Sequence, residues 1–544
     1  MLNKIRLSVR QFFVICIFHL LSVFADREPL LVYNQFPRIW DMNFEAMTAY
    51  VPTIARMGFN VVWVNPFFKT SELPVERVNE FTGEPLKVKG SLYAMYDPAL
   101  TYGEIRESSG NPAEGSAVDA AIRSYTAVVK EHGMVPIFDL VLNHVAKDSP
   151  LVSGNFPWFR DNLKVNTRFW FKPGDERWDD TAFFDYDTPG NRESIFNHLW
   201  IPLITRAIKV WEFQGVRVDY GTDVDQEVLF NCIQLIETLG SSAIVVLGEA
   251  LIPGSKPNKA EILAKCKPTG FTHLTNLSVF LTRRQIDEGK PMDMARGYQW
   301  FLNDLGLKKA VTTTKSPRFR PGTIGFAASH DHGTSLQSYM EKQMAHVKIE
   351  IPEDEIPVNV PDIGKWTKQK TKCIRGGLIS QGLRGLDEPT KVKIVKEQMA
   401  IAAFASDAGW CFFASDEILS TITKSPFVCC DGRPFGGVEA SAEAACLATD
   451  PNPEIVRFVG EINKTFRLIR EAPDVFWVEM FYYDDNHLVF VRHLSSGQLP
   501  VDVVVVNLFG DELPPPDVVM GFLKDKLAGI NWADEKALKI YLVR

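Results

Sequence analysis

Short apolar runs rich in β-branched and aromatic residues alternate with longer amphipathic stretches along most of this chain. No other feature constrains the fold as strongly. The runs predict strands over residues 30–33, 60–65, 135–142, 215–219, 244–248, 271–277, 323–328 and 409–413. Between them, apolar residues at helical spacing mark helices over 43–57, 117–132, 195–213, 226–239 and 391–405. Strands alternating with helices form parallel βα units, because a parallel neighbour is reached only through a long crossover. Eight such strands close a barrel, but an open doubly wound sheet gives the same alternation. Pattern alone leaves the two open.

Two stretches interrupt the regularity. Residues 148–188 are rich in Trp, Phe, Pro, Asp and Gly without a sustained period, and residues 332–389 carry an acidic, proline-punctuated segment followed by a basic one. Long irregular connections in a compact domain are usually functional insertions. Both follow predicted strand ends, where barrel enzymes build their sites. Past a helix over 454–471, four short runs over 476–482, 487–491, 501–507 and 537–543 predict a small antiparallel β-domain. The expected division is therefore a segment 1–25, a barrel domain 26–470 with insertions at about 148–188 and 332–389, and a C-terminal β-domain 471–544.

Segment 1–25 is read apart from the fold. Lys4, Arg6 and Arg10 precede an apolar run from Phe12 to Ala25, which ends in Val23-Phe24-Ala25. A basic opening, a short apolar core and a small-residue cut site are the parts of a secretory signal peptide. The run is short for a membrane anchor, the alternative reading, and His19 interrupts it. The expected mature chain starts at Asp26, exported to the periplasm or secreted, and keeps no stable membrane span. Seven of the eight cysteines lie beyond that point: 232, 266, 373, 411, 429, 430 and 446. Their scatter fits neither a zinc site nor a dense disulfide scaffold. A net charge of −8 supplies no basic footprint, so nucleic acid is not an expected partner.

Chemistry gathers at the strand ends. Asp139, Asn143 and His144 close the third predicted strand, and Arg217 with Asp219 close the fourth. Glu249 closes the fifth, and His330 with Asp331 the seventh. A lone Asp after a strand is more often a helix cap or turn former than a catalyst. Four clusters in succession, all expected at one rim of a barrel, are harder to assign to caps. Convergent carboxylates are what cleavage of a glycosidic bond needs. One protonates the leaving oxygen, and in retaining enzymes a second, about 5–5.5 Å away, attacks the anomeric carbon. Strand period places Arg217 and Asp219 on one face, where the guanidinium would keep a nucleophilic carboxylate ionised.

These residues resemble, in order, the motifs of the α-amylase superfamily, glycoside hydrolase family 13. Asp139–His144 is similar to its Asp-x-x-x-Asn-His motif and Gly215–Asp219 to its Gly-x-Arg-x-Asp motif. Glu249 and His330-Asp331 resemble its third and fourth motifs. Residues 58–67 and 408–417 resemble the segments around its second and last strands, and Gly90–Tyr93 followed by Asp97 its sugar-stacking loop. The resemblance implies a (β/α)8 TIM barrel with an inserted loop subdomain. It implies Asp219 as nucleophile, Glu249 as acid/base and Asp331 as transition-state stabiliser. Arg217, His144, His330, Tyr93 and Asp139 would bind an α-glucan or maltooligosaccharide. It also implies calcium, with Asn143 as its first ligand. Thr222 and Asp223 stand where many members carry a Lys-His pair, and Ala94 replaces an Asp, so the metal set and the cleavage subsite depart from the pattern. Hydrolysis of α-1,4 bonds, glucan transfer through the same intermediate, and a carbohydrate-binding protein without catalysis stay open at this point.

Overall fold

The computed structural model describes residues 29–40, 42–70, 75–78, 85–88, 92–97, 116–154, 156–159, 181–221, 224–240, 245–249, 271–275, 322–326, 328, 334–336, 382–383, 385–404, 406, 408–420, 451–469, 475–494, 500–510, 512–526 and 538–544. Eight parallel strands close a barrel: β1 (Leu30–Gln35), β2 (Val61–Val64), β3 (Val135–Leu140), β4 (Gly215–Val218), β5 (Val245–Glu249), β6 (His273–Thr275), β7 (Gly322–Phe326) and β8 (Gly409–Phe413). Consecutive strands are neighbours, and β8 returns to pair with β1. Each falls on a predicted run. The seam is tight: a Cβ on Gly409, where φ is 144°, would sit 2.0 Å from the Leu30 carbonyl oxygen, so only glycine fits.

Strand period divides the core. Leu30, Val32, Val61, Trp63, Ile137, Leu247, Ile324, Phe326 and Cys411 pack together in one cluster. Their alternates, such as Leu31, Tyr33, Val62, Val64, Phe138, Val216, Val246 and Phe412, join the larger cluster beneath the helices. A strand buried on both faces reads as a continuous apolar run, which is why these strands were visible as runs and not as alternations.

The helices are α1 (Phe44–Arg56), α2 (Ser116–Glu131), α3 (Ile201–Lys209), α4 (Gln226–Leu239), α5 (Glu388–Phe404) and α6 (Pro453–Ile469). Short polar side chains start three of them. Asn43, Asp225 and Asn452 each accept two of the otherwise orphaned first-turn N–H groups. The single helix expected over 195–213 differs. Helix begins at Pro189–Ile195, widens into a π turn at Phe196–Trp200, and resumes as α3. Pro202 has no N–H for the carbonyl four residues back, and the helix relaxes there. Short antiparallel pairs decorate the rim: Lys69–Thr70 with Met95–Asp97, Val75–Val78 with Pro85–Val88, and His144–Ala146 with Thr181–Phe183.

Beyond α6 lies a sheet of β9 (Val475–Asp484), β10 (His487–Leu494), β11 (Pro500–Asn507) and β12 (Lys539–Val543). The expectation of an antiparallel sheet holds for its first three strands. It fails for the fourth, because β12 joins β11 in parallel after α7 (Pro516–Lys526), a helix the sequence reading did not anticipate. That sheet is buried on both faces. Leu488, Phe490, Val504 and Val506 belong to the barrel-side core, with Phe490 5.5 Å from Phe404 of α5. Val489, Val491, Val503 and Val505 pack against Val519 and Leu523 of α7. Among the described residues no helix is long and apolar enough to cross a membrane. Residues 1–28 lie outside the described set.

Candidate active site

The site follows from the inward-facing series continued past the strand ends. Ile137 and Leu247 face the barrel interior, so Asp139 and Glu249, two residues on, face the same way. Arg217 is in register with Asp139 on one side and Leu247 on the other, which puts it and Asp219 in the same layer. The same count from Val32 and from Val61 and Trp63 reaches Asn34 and Asn65.

Arg217 organises the layer. Its Nη1 donates to Asp139 Oδ1 at 2.9 Å and to Asp219 Oδ1 at 2.7 Å, while Nη2 lies 2.9 Å from Glu249 Oε2. Its guanidinium sits 5.0 Å from the Trp63 ring centroid and 5.6 Å from that of Tyr93, in reach of cation–π attraction. Glu249 Oε2 also accepts the Tyr220 N–H at 2.8 Å. Tyr220 stands in the turn after β4 and is left-handed, with φ of 51°. Gly221 makes the approach feasible, since a Cβ there would lie 3.0 Å from Phe271 and 3.3 Å from the Glu249 nitrogen.

A hydrogen-bond chain runs along the rim to this centre. Asn34 Nδ2 donates to Asn65 Oδ1 at 2.7 Å, and Asn65 Nδ2 to the Tyr93 hydroxyl at 2.9 Å. The Tyr93 hydroxyl donates to Asp139 Oδ2 at 2.9 Å, and Trp63 Nε1 reaches the same oxygen at 3.0 Å. Burial pushes Asp139 up to about 6, against the pull of Arg217 and Tyr93. Burial also opposes the charge on Arg217, but Asp139, Glu249, Tyr93 and Asp219 outweigh it and hold the guanidinium protonated. Burial lowers His144 to about 4, so at neutral pH its ring is an uncharged partner beside Phe183.

Exposure sorts these groups. The Arg217 side chain is 2% exposed, whereas Asp219 keeps 10% and Glu249 13%. Those two carboxylates are therefore the ones open to an incoming group, while Asp139 has both oxygens engaged by protein donors. The structure thus brings together Asp219, Glu249, Arg217, Asp139 and Tyr93, with His144 following β3. His330 and Asp331 lie outside the described residues, as do Thr222 and Asp223. Calcium takes six or more oxygen ligands. Among the described residues no three His, Cys, Asp or Glu side chains are placed to hold a metal ion. An asparagine ligates calcium through its Oδ1, and Asn143, just past β3, is a described residue that would offer one. Cys232 and Cys411 are buried free thiols, and the other cysteines lie outside the described residues.

Trp63, Asn34, Asn65 and Tyr220 were not among the sequence candidates. The first three carry a signal that was available, since each occupies an inward position at or just past a strand end.

No family model matches the chain, and no curated protein does. Solved structures do. An α-amylase from Lactobacillus plantarum aligns with TM-score 0.52 at 15% identity, over 85% of this chain and 87% of that one. An α-amylase from Geobacillus thermoleovorans, complexed with acarbose, aligns with TM-score 0.52 at 14% identity, over 86% and 85% of the two chains. A maltogenic α-amylase from Thermotoga neapolitana gives 0.50 at 14% identity, over 86% of each. The shared feature is the fold: a (β/α)8 barrel followed by a C-terminal sheet.

Proposed function

We propose that this chain is a retaining glycoside hydrolase of the α-amylase superfamily. It cleaves α-1,4-glucosidic bonds in starch- or glycogen-like glucans and maltooligosaccharides through a covalent glycosyl-Asp219 intermediate. One observation carries the reading: two partly open carboxylates at the rim, Asp219 and Glu249, are spanned by one buried arginine. They sit in a barrel of the α-amylase fold, at the strand ends where such barrels do their chemistry.

Glu249 gives its proton to the glycosidic oxygen while an Asp219 oxygen attacks the anomeric carbon. The C–O bond to the leaving sugar breaks as the C–O bond to Asp219 forms. Glu249 then takes a proton from water, which attacks the same carbon and releases Asp219, so two inversions give net retention. Arg217 orients Asp219, and Asp331 is assigned to stabilise the positive charge of the sugar ring. Acceptor choice defines a second reading. Ala94 replaces an Asp of the family's cleavage subsite and Thr222-Asp223 its Lys-His pair, which binds sugar and metal, and a sugar hydroxyl in place of water gives glucan transfer by the same steps.

The test uses maltoheptaose and an activated fluoroglucoside. Retention of anomeric configuration and a labelled peptide containing Asp219 are expected; inverted product or a label elsewhere overturns the assignment. Oligomers longer than the substrate would identify transfer. Export is read from segment 1–25, and N-terminal sequencing of the exported protein is expected to begin at Asp26.

A further inference from the structure

Two amides lie buried beside the reacting layer, Asn34 in β1 and Asn65 just past β2, and the reaction above leaves both without a role. A barrel interior tolerates such groups only where they are hydrogen-bonded. An amide side chain offers a donor at one end and an acceptor at the other, so its partners decide which way it stands. Asn34 faces Trp63 in the β1–β2 register, and its Nδ2 donates to the Trp63 carbonyl at 3.2 Å. A backbone carbonyl can only accept, and that fixes the Asn34 amide.

The rest of the chain follows in one sense. Asn34 Nδ2 gives its second hydrogen to Asn65 Oδ1 at 2.7 Å. Asn65 must then turn its Nδ2 to the Tyr93 hydroxyl, 2.9 Å away. The hydroxyl oxygen accepts there, so its single proton is left for Asp139 Oδ2 at 2.9 Å. Turned over, Asn65 would set an oxygen against that hydroxyl and compete with Asp139 for the proton. The backbone places the same loop: Met95–Asp97, just beyond Tyr93, pairs with Lys69–Thr70, just beyond Asn65, and the Lys69 ammonium lies 4.5 Å from the Tyr96 ring centroid. The ladder holds the loop, and the Asn65 amide holds its hydroxyl.

Asp139 is where this chain meets the site. Trp63 Nε1 shares Oδ2 with Tyr93, while Arg217 Nη1 takes Oδ1 together with Asp219 Oδ1. The titratable and charged groups about it are Arg217, Tyr93, Asp219 and Glu249. We propose that Asn65, held in one sense by Asn34, is a positioning residue for the reaction. It commits the Tyr93 proton to Asp139 and so keeps ionised the carboxylate that anchors Arg217 between Asp219 and Glu249. The proposal rests on the roles given to Asp219 and Glu249 above. A hydroxyl that accepts one hydrogen bond donates the next more strongly, so Asn65 acts on Asp139 through Tyr93. A merely structural amide would lower stability when removed and leave the pH profile alone.

The experiment is a double-mutant cycle on the full chain, Asn65→Leu against Tyr93→Phe. It is read as the pH dependence of kcat/KM on maltoheptaose, with thermal melting alongside. Tyr93→Phe is expected to raise the acid limb by about 1 pH unit, the worth of one hydrogen bond to a carboxylate. Asn65→Leu is expected to raise it by about half a unit, a loss of about threefold in kcat/KM on the acid side. In the Tyr93→Phe background Asn65→Leu is expected to move the limb no further, because the hydroxyl it acts through is gone. Asn34→Leu, one step more distant, moves it by less than Asn65→Leu does. A limb unmoved by Asn65→Leu, or shifts of equal size in both backgrounds, overturn the proposal whatever happens to the melting temperature. Where Asn65→Leu fails to fold, Asn34→Leu against Tyr93→Phe reads the same coupling. If Asp219→Asn leaves activity intact, the site reading itself has failed and this inference falls with it. If Asp219→Asn abolishes activity and Asn65→Leu leaves the limb in place, only this inference fails.

Discussion

Two sets of buried acids stand at the strand ends of this barrel, and they are held in opposite ways. Asp139, Asp219 and Glu249 share a guanidinium, so their charges are balanced by a cation. Glu417 is held by two phenols and a backbone N–H, all neutral donors. Burial pushes an acid upward in each set, Asp139 to about 6 and Glu417 to about 7. By titration alone Glu417 would look the better general acid. Access decides otherwise: Glu417 is 0% exposed and faces Tyr33 and Tyr50, whereas the Asp219 and Glu249 side chains keep 10% and 13%. A perturbed carboxyl marks a functional site only where something can reach it.

The comparison breaks most directly in activity. Asp219→Asn is expected to lower kcat by about 10⁴-fold or more, and Glu249→Gln by about 10²–10⁴-fold, on any α-glucan the parent cleaves. Glu417→Gln is expected to keep activity within about tenfold, since a sealed group stabilises the fold and takes no part in bond making. Steady-state rates for the three variants check this, and a dead Glu417→Gln that melts like the parent would erase the distinction. Next comes the cation. Arg217→Ala leaves three carboxylates without their common partner, and breaking a buried ion pair from one side costs about 3–5 kcal/mol. Urea unfolding at neutral pH measures it. A loss under about 1 kcal/mol would mean the layer is hydrated and not charge-balanced by Arg217.

Much of this was legible before any coordinates. All eight barrel strands fall on predicted runs, because strands buried on both faces must be apolar throughout and stand out against amphipathic helices. The direction of β12 was not legible. The run Val503-Val504-Val505-Val506 has no apolar alternation, so it hides which face each partner covers and in which sense it runs. Asp139, Arg217, Asp219 and Glu249 were found because strand ends concentrate chemistry and period fixes direction. The hydrogen bond from Ser335 to Asp416 joins residues 81 positions apart, beyond the reach of any local pattern. Asp139, read from the sequence as a sugar-binding candidate, has its oxygens engaged by Trp63, Tyr93 and Arg217, contacts that no local spacing shows.

The neutral set makes its own prediction in pH. Glu417 takes up its proton at about 7 in the folded chain, against an ordinary value of 4.5. Folding therefore favours the protonated acid. The associated stability is fully present below about pH 4.5 and is lost as pH rises to about 7, by on the order of 3 kcal/mol. Glu417→Gln removes that dependence. Its amide oxygen can accept Ser415 N–H while the phenol hydroxyls rotate to accept from its nitrogen. Relative to the parent the variant is expected to gain stability between pH 5 and pH 8, read from urea midpoints. A parallel offset at both values would mean the Glu417 carboxyl titrates as an ordinary one.

The smallest effect tests the charged set from its edge. The Tyr93 hydroxyl accepts from Asn65 and donates to Asp139, so Tyr93→Phe keeps the ring over Arg217 and deletes only that link. The Asn65 amide loses an acceptor in a buried place, a cost of about 1–3 kcal/mol at most. Trp63 and Arg217 still hold Asp139, so the layer survives. One donor to the ionised form is gone, however, and the Asp139 carboxyl is expected to rise further above about 6. Below that value the proton on Asp139 removes one of the charges around Arg217, leaving the guanidinium to Asp219 and Glu249. The acid limb of the kcat/KM profile is therefore expected to move upward in Tyr93→Phe, with kcat at pH 8 within about tenfold of the parent. An unmoved limb would mean that Asp139 does not gate the site and that Tyr93 is only a wall.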